Sequence, residues 1–347
     1  MESIQLADGK DDIKGRDAIP TILSDALAVS FDNNIGHDYL LNYEERYEYY
    51  HKKEDKIEFD LEYFNKITKG GLPNKTLNIA LAGTGVGKSL FMCHHASSVL
   101  LQGRNVLYIT MEMAEEKIAE RIDANLLNVP IQDLTDLPKV MFDKKVNSIS
   151  KKTQGQLIIK EYPTASAHSG HFKTLLNELA LKKSFRPDII FIDYLNICAS
   201  SRYRANSGVN SYSYIKAIAE ELRGLAVESN VPIVSATQTT RSGFASSDVD
   251  LTDTSESFGL PATADLMFAL ISTEELEALN QIMVKQLKNR YNDPTIFKRF
   301  IIGIDRAKMR LYDCEQKAQH DIVDSGSEEE YNKEDKTPKK SFAEFNF

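Results

Sequence analysis

The sequence predicts an α/β fold: a mostly parallel sheet with helices on both faces, an antiparallel extension toward its C-terminal side, and a helical segment in front. Three observations carry this. Between about residues 60 and 313, short apolar runs alternate with amphipathic stretches, the pattern of successive βαβ units. LAGTGVGKS (81–89) joins one apolar run to the next through closely spaced glycines, as a strand-to-helix turn does. Beyond residue 264 the apolar runs follow one another with no room for crossover helices, and YNDP (291–294) reads as a tight turn, so the last strands are expected to be antiparallel.

Composition narrows the class. With 347 residues, 42% of them apolar, the chain has material for one large domain or two ordinary ones. It has no apolar run of 18 residues, so no membrane span is expected, and MESIQLADGKDD lacks the basic start and apolar stretch of a secretory signal. Cys93, Cys198 and Cys314 are far apart and form no C-x-x-C pair, which reads as reduced thiols in a cytoplasmic protein. A formal charge of −9 argues against a protein that coats nucleic acid with its whole surface; any such contact must lie in a local positive lining.

Taken in order, residues 1–59 read as a linker segment. Ile19, Ile22, Leu23, Ala26 and Leu27 recur at helical spacing with Pro20 in the first turn, which predicts an amphipathic helix near 19–30. Residues 38–56, rich in Tyr, Glu and Lys, read as a connecting segment or exposed helix. Residues 60–313 form the α/β domain, with strands expected at 77–83, 105–111, 157–163, 188–195, 232–238, 264–271, 281–288 and 299–305 and amphipathic helices between the first five. His94-His95 and the pair His168/His171 lack Cys or acidic partners at ligand spacing and read as surface or capping residues before a metal site. Residues 314–347 form a tail, disordered by composition, whose Phe342, Phe345 and Phe347 fit either a frayed end or a peptide for a partner's groove.

The glycine stretch carries the chemistry. It matches G-x-x-x-x-G-K-[ST] except that Ala82 stands at the first position. Gly83, Thr84, Gly85, Val86 and Gly87 can turn successive N–H groups toward one phosphate, and the helix beginning near Lys88 adds the positive end of its dipole. Lys88 can reach the β- and γ-phosphates and Ser89 can offer its hydroxyl to Mg²⁺. A P-loop needs a second carboxylate for the metal. Asp193, closing the apolar run of DIIFIDYL, supplies it, and Asp188 reads as a cap at the start of that strand. Glu112, after the second strand in YITMEM, should share the same sheet edge and is the candidate general base; Glu115, Glu116 and Glu120 read as solvated. Gln238, ending PIVSATQ, can hydrogen-bond a γ-phosphate and pass its state to the segment TTRSGF.

These motifs in this order resemble the motor domain of DnaB-type replicative helicases: the A-x-x-x-x-G-K-S loop, M-E-M after the second strand, F-I-D-Y, S-A-T-Q-T-T-R, and a downstream K-x-R at Lys288 and Arg290. The resemblance covers essentially the whole chain and implies a RecA-like core that hydrolyses ATP (or GTP) with Mg²⁺. It further implies a homo-hexameric ring moving 5′ to 3′ on single-stranded DNA at a replication fork, with primase and a helicase loader as partners. In that family Lys288 and Arg290 would reach a neighbouring subunit's γ-phosphate; without the family they read as an exposed basic pair at a hairpin turn. Arg241, Ser242 and Gly243 match the loop that grips DNA in the central hole. Arg202 and Arg204 are candidates for a second loop, with plain surface arginines equally open. Family members carry a helical N-terminal domain before the linker, and this chain is expected to lack it. A RecA-type recombinase and a nucleotide-locked ring scaffold are the alternatives.

Overall fold

The structure is a computed structural model that describes residues 37–51, 54–203, 208–239 and 259–314. The chain divides into two compact units, residues 1–54 and 55–347. In the first, Asp38 accepts from the amides of Leu40 and Leu41 just ahead of helix α1 (Tyr43–His51). Glu44 and Glu45 at the start of α1 and His51 at its end complement the helix dipole. Its tyrosines 43, 47 and 50 are exposed, as an exposed helix over this stretch requires. The amphipathic helix expected near 19–30 and the phenylalanines of the C-terminal end lie outside the described residues.

The second unit is built on one nine-stranded sheet. Its strands are β1 (Leu77–Ala82), β2 (Val106–Thr110), β3 (Leu157–Glu161), β4 (Ile189–Asp193), β5 (Ile233–Gln238), β6 (Leu266–Ile271), β7 (Gln281–Asn289), β8 (Arg299–Asp305) and β9 (Arg310–Asp313). The order is β3-β2-β4-β5-β1-β6-β7-β8-β9, parallel from β3 through β6 and antiparallel from there on. All eight expected strands are present. β9 was not foreseen: four residues with Leu311 alone buried give too short an alternation to stand out from a turn.

Side chains alternate across the sheet with period two. Ala80, Tyr108, Phe191, Val234 and Phe268 face one layer, formed by α2 (Glu62–Thr68), α3 (Lys88–Leu101) and α4 (Glu115–Leu127). Ile79, Ile109, Ile192, Ile233 and Met267 face the other, formed by α6 (Ser169–Lys183), α7 (Ser211–Ser229) and α8 (Gly259–Thr263). Helix α5 (Lys139–Ser150) buries none of its residues, and the short α9 (Glu274–Ala278) precedes β7. The crossover from β1 runs to β2 on one side, while that from β5 passes β1 to reach β6 on the other, so the direction of winding reverses beside β1, and the crevice at its C-terminal end is where an open α/β sheet receives ligands.

The two histidine pairs separate. His168 caps α6, accepting from the Gly170 amide (3.0 Å), while His171 accepts from the His168 amide (3.2 Å). His94 and His95 are buried, so the surface reading fails for them: α3 is packed nearly all round, which an exposed-looking H-H pair conceals. His94 pairs with Asp60 (3.1 Å) and accepts from the Leu311 amide (3.3 Å). His95 stacks on Phe59 at 4.2 Å, its ring nitrogens have no hydrogen-bond partner, and burial pushes its pKa down to about 3. Cys93 and Cys198 are buried free thiols, and burial pushes the Cys93 pKa up to about 12, which removes its nucleophilic form at neutral pH.

Candidate active site

β1 ends at Ala82 and α3 begins at Lys88, so the glycine stretch is the tight connection expected. Gly85 (φ +80°) and Gly87 (φ +139°) adopt backbone conformations that L side chains rarely take, and Gly87 is the N-cap of α3. Lys88 is buried, and its Nζ folds over the loop to donate to the carbonyls of Ala82 (3.3 Å) and Gly83 (3.1 Å). Burial lowers its pKa, against the raising charges of Glu112 and Asp193. An ammonium whose hydrogen bonds go to neutral carbonyls, with the α3 N-terminus beside it, is a place prepared for an anion.

Two carboxylates stand on the same edge. Asp193 ends β4 and is fully buried; its Oδ2 accepts from the Tyr108 hydroxyl of β2 (2.9 Å), and its Oδ1 has no hydrogen-bond partner. Burial raises its pKa, opposed by the Tyr108 and Ser89 hydroxyls and the charges of Arg121 and Lys88. A buried carboxylate oxygen left unpaired beside the Ser89 hydroxyl fits a hard divalent cation that keeps its waters. Glu112 lies in the bend after β2, which ends two residues earlier, at Thr110; the Met111 amide still donates to the Asp193 carbonyl (2.9 Å), which ties this bend to the end of β4. Its pKa is raised by burial and by Asp193, and held back by Lys88 and Arg121. Glu116 is exposed, while Glu115 exchanges hydrogen bonds with the Glu161 backbone and carboxylate and Glu120 pairs with Lys117 (2.7 Å). Asp188 caps β2 by accepting from the Asn105 amide (2.7 Å).

A cleft of about 300 Å³ collects Thr84, Gly85, Gly87, Lys88, Ser89, Glu112 and Gln238, with Arg121 and Arg306 on its wall. Gln238 closes β5 and donates to the Tyr194 hydroxyl (3.2 Å). Arg121 and Arg306 were not singled out from the sequence. Arg121 looks like one more basic residue of α4. Arg306, in the turn after β8, reaches the Gly85 and Val86 carbonyls (3.2 and 3.4 Å) from 221 and 220 positions away, and pairs with Glu277 at 3.6 Å. Nothing local marks that approach.

The remaining candidates are not in this cleft. Lys288 and Arg290 follow a bulge in β7 opposite Met267/Phe268, at the end of the sheet where β1 and β6 start. Arg290 Nη1 pairs with Asp265 at 2.8 Å, and Asp265 accepts from the Leu77 amide at 3.0 Å. The six residues of β1 therefore stand between them and the phosphate loop, a separation of roughly 17 Å at about 3.3 Å per residue. Arg202 is exposed and pairs with Glu220 at 2.5 Å, on a turn that Glu221 fastens by accepting from Ser200 Oγ (2.7 Å) and the Ser201 amide (2.9 Å). Arg204, Arg241, Ser242 and Gly243 lie outside the described residues.

Fold and loop together define a RecA-like P-loop α/β domain. Residues 57–306 match the DnaB-like helicase C terminal domain, and the chain belongs to that family. It is 48% identical over 302 residues to the "DnaB-like replicative helicase" of enterobacteria phage T4, covering 86% of this chain and 63% of that protein. A "probable plasmid replicative DNA helicase" of Chlamydia psittaci is 29% identical over 226 residues, 61% of this chain and 46% of its own. The chain thus spans less than two thirds of the length of either relative. A solved DnaB-like replicative helicase, described with its interactions with primase, superposes with a TM-score of 0.65 at 17% identity, over 90% of this chain and 76% of its own. A second solved structure, an ATPase domain, superposes with a TM-score of 0.63 at 16% identity, over 88% of this chain and 100% of its own. At those identities the solved structures speak for the fold, which is the one the sequence predicts. No helix among the described residues is long and apolar enough to cross a membrane.

Proposed function

We propose that this chain is the ATP-driven motor of a replicative DNA helicase, working as a homo-hexameric ring that moves on single-stranded DNA, 5′ to 3′, and separates the strands at a fork. The observation that carries the reading is the division of charge between the two ends of the sheet. Lys88, Ser89, Glu112 and Asp193 gather at one end, while Lys288 and Arg290 stand at the other, out of reach of their own phosphate loop. The cleft carries Lys88, Arg121 and Arg306 of its own chain, and in this reading the neighbouring subunit's Arg290 adds the further cation at the developing phosphoryl charge.

In this reading the loop amides and Lys88 bind the β- and γ-phosphates. Ser89 and Asp193 would hold Mg²⁺, which would supply positive charge against the phosphate oxygens. Glu112, within the same cleft, takes the proton of the attacking water. Gln238 senses the γ-phosphate and passes its presence to the segment carrying Arg241, Ser242 and Gly243, the proposed grip on the DNA backbone; Arg202 and Arg204 are candidates for a second grip. ATP is the proposed fuel, and GTP would enter the same phosphate machinery. Primase and a helicase loader are proposed partners by family resemblance.

The test is the hydrolysis rate per subunit against protein concentration, with and without single-stranded DNA, for wild type and Arg290→Ala. A rate that climbs with concentration and with DNA, and falls about 10³- to 10⁵-fold in the variant, is expected of a trans-acting arginine. A rate flat with concentration and untouched by the substitution would end the reading.

A further inference from the structure

The cations at the N-terminal end of the sheet converge on one buried carboxylate. Asp265 is 5% exposed and stands one residue before β6. Its Oδ2 accepts from the Leu77 amide (3.0 Å) and Arg223 Nε (3.2 Å), and its Oδ1 from Arg223 Nη2 (3.1 Å) and Arg290 Nη1 (2.8 Å). The Arg290 amide donates to the Asp265 carbonyl (3.0 Å), so backbone and side chain are both pinned. The α8 carbonyls complete the cage: Ala262 accepts from Arg290 Nη2 (3.3 Å) and, with Pro261, from Lys288 Nζ (3.0 and 2.5 Å). Burial and the neighbouring charges of Arg290 and Arg223 push the Lys288 pKa below its usual range, against Asp265.

Three positive groups side by side repel, and the anion between them makes the arrangement favourable. Yet the arginines are not sealed in. Arg290 is 47% and Arg223 38% exposed, and both line an open groove of about 500 Å³ beside α7 and α8. In a salt bridge that serves stability alone, half-exposed cations lower the desolvation cost, and the free outer face has no further use. One that aims a guanidinium at something arriving from outside needs this form: an inner face fixed by a rigid, desolvated acceptor and an outer face free.

We propose that Asp265 is a positioning residue that holds Arg290, with Arg223 as its second cation, at the angle needed for the nucleotide of the adjacent subunit. This rests on the trans role of Arg290 given above. Because the same carboxylate takes the first amide of β1, the outward-facing cation is braced on the strand whose far end carries the subunit's own phosphate loop.

Asp265→Asn keeps the size of the side chain and an acceptor for Leu77, but its amide cannot seat two guanidinium groups. The expected result is a DNA-stimulated kcat about 10- to 100-fold lower, the cost of a slightly misplaced catalytic group, with KM for ATP changed by less than about twofold. Arg223→Ala disturbs no backbone hydrogen bond and serves as the second variant, with a loss in the same direction. Each is then mixed with Lys88→Ala, which has a dead phosphate site and intact outward cations. If Asp265 acts through Arg290, the mixture hydrolyses ATP well above the sum of the two proteins assayed apart, as the Arg290→Ala and Lys88→Ala mixture also does. An unchanged kcat in both variants overturns the proposal. So does recovery with Arg290→Ala but not with Asp265→Asn or Arg223→Ala, since the defect would then lie in the variant's own site. Failure of the Arg290→Ala mixture to recover overturns the trans reading itself.

Discussion

At the C-terminal end of β1 the cation faces inward, and at its N-terminal end the cations face outward. Lys88 is buried against the carbonyls of its own loop, with Asp193 and Glu112 close by and Arg306 above. Arg290 and Arg223 share one buried carboxylate, which offsets one of their two charges, and both are still open to solvent. A buried ammonium whose hydrogen bonds go to neutral carbonyls, with carboxylates near but not bonded to it, can turn to an incoming anion and belongs to the chain's own candidate site. A cation paired from behind, but exposed in front, is arranged for an anion carried by another molecule. The sheet makes the two incompatible within one subunit, because parallel strands send one kind of end to each edge.

The harshest way to break this contrast is to remove one cation from each end. Lys88→Ala is expected to abolish nucleotide binding, whereas Arg290→Ala leaves it within about threefold while hydrolysis collapses by about 10³ or more; calorimetric titration with a non-hydrolysable ATP analogue reads the first difference. Comparable losses of binding in both variants would mean that the ends are not functionally distinct. Next comes Glu112→Gln, which keeps shape but not basicity. Turnover should drop about 10²- to 10⁴-fold with affinity preserved, in a single-turnover assay.

Two smaller effects sharpen the inward-facing end. Tyr108→Phe strips Asp193 of its hydroxyl donor, and the Mg²⁺ concentration for half-maximal hydrolysis should rise about tenfold, the usual size for a group that orients a metal ligand. Arg306→Ala removes a guanidinium from the loop carbonyls and should weaken nucleotide binding by about 1 kcal/mol, roughly fivefold. No change in that titration would leave Arg306 as a clasp between turn and loop alone.

The smallest effect separates the site from the core beneath it. The His95 pKa, about 3 in the folded chain against 6.5 unperturbed, means that between those values the unfolded state binds a proton that the native state does not. Its contribution to stability is therefore constant above the unfolded value, and falls by up to about 1.4 kcal/mol per pH unit as pH drops below it. Urea unfolding at pH 7.5 and 5.5 should show the loss in wild type, and His95→Phe should flatten that part of it. An equal loss in both proteins would assign the slope to other groups.

Much of the inward-facing site is legible along the chain, because its parts are local. A strand, a glycine turn and G-K-S are adjacent in sequence, and Asp193 and Glu112 are read from the ends of apolar runs, since a parallel sheet must bring those ends to one edge. The strands from β1 to β8 declared themselves by the same apolar runs, and the family resemblance was written in the same short motifs. By itself, then, the sequence determined the fold class, the strand positions and the place of the glycine turn between β1 and α3, all of which rest on hydrophobic periodicity and backbone conformational preference acting over a few residues. Tertiary structure alone decided that Asp265 would take the first amide of β1, that Arg306 would cover Gly85 and Val86, that His94 and His95 would be buried, and that Arg290 would be held on a carboxylate at the end of the sheet away from the glycine turn. Those outcomes depend on which strands become neighbours and on how much of each helix is covered. Both are settled by the burial of two faces of a nine-stranded sheet at once, which no local stretch encodes.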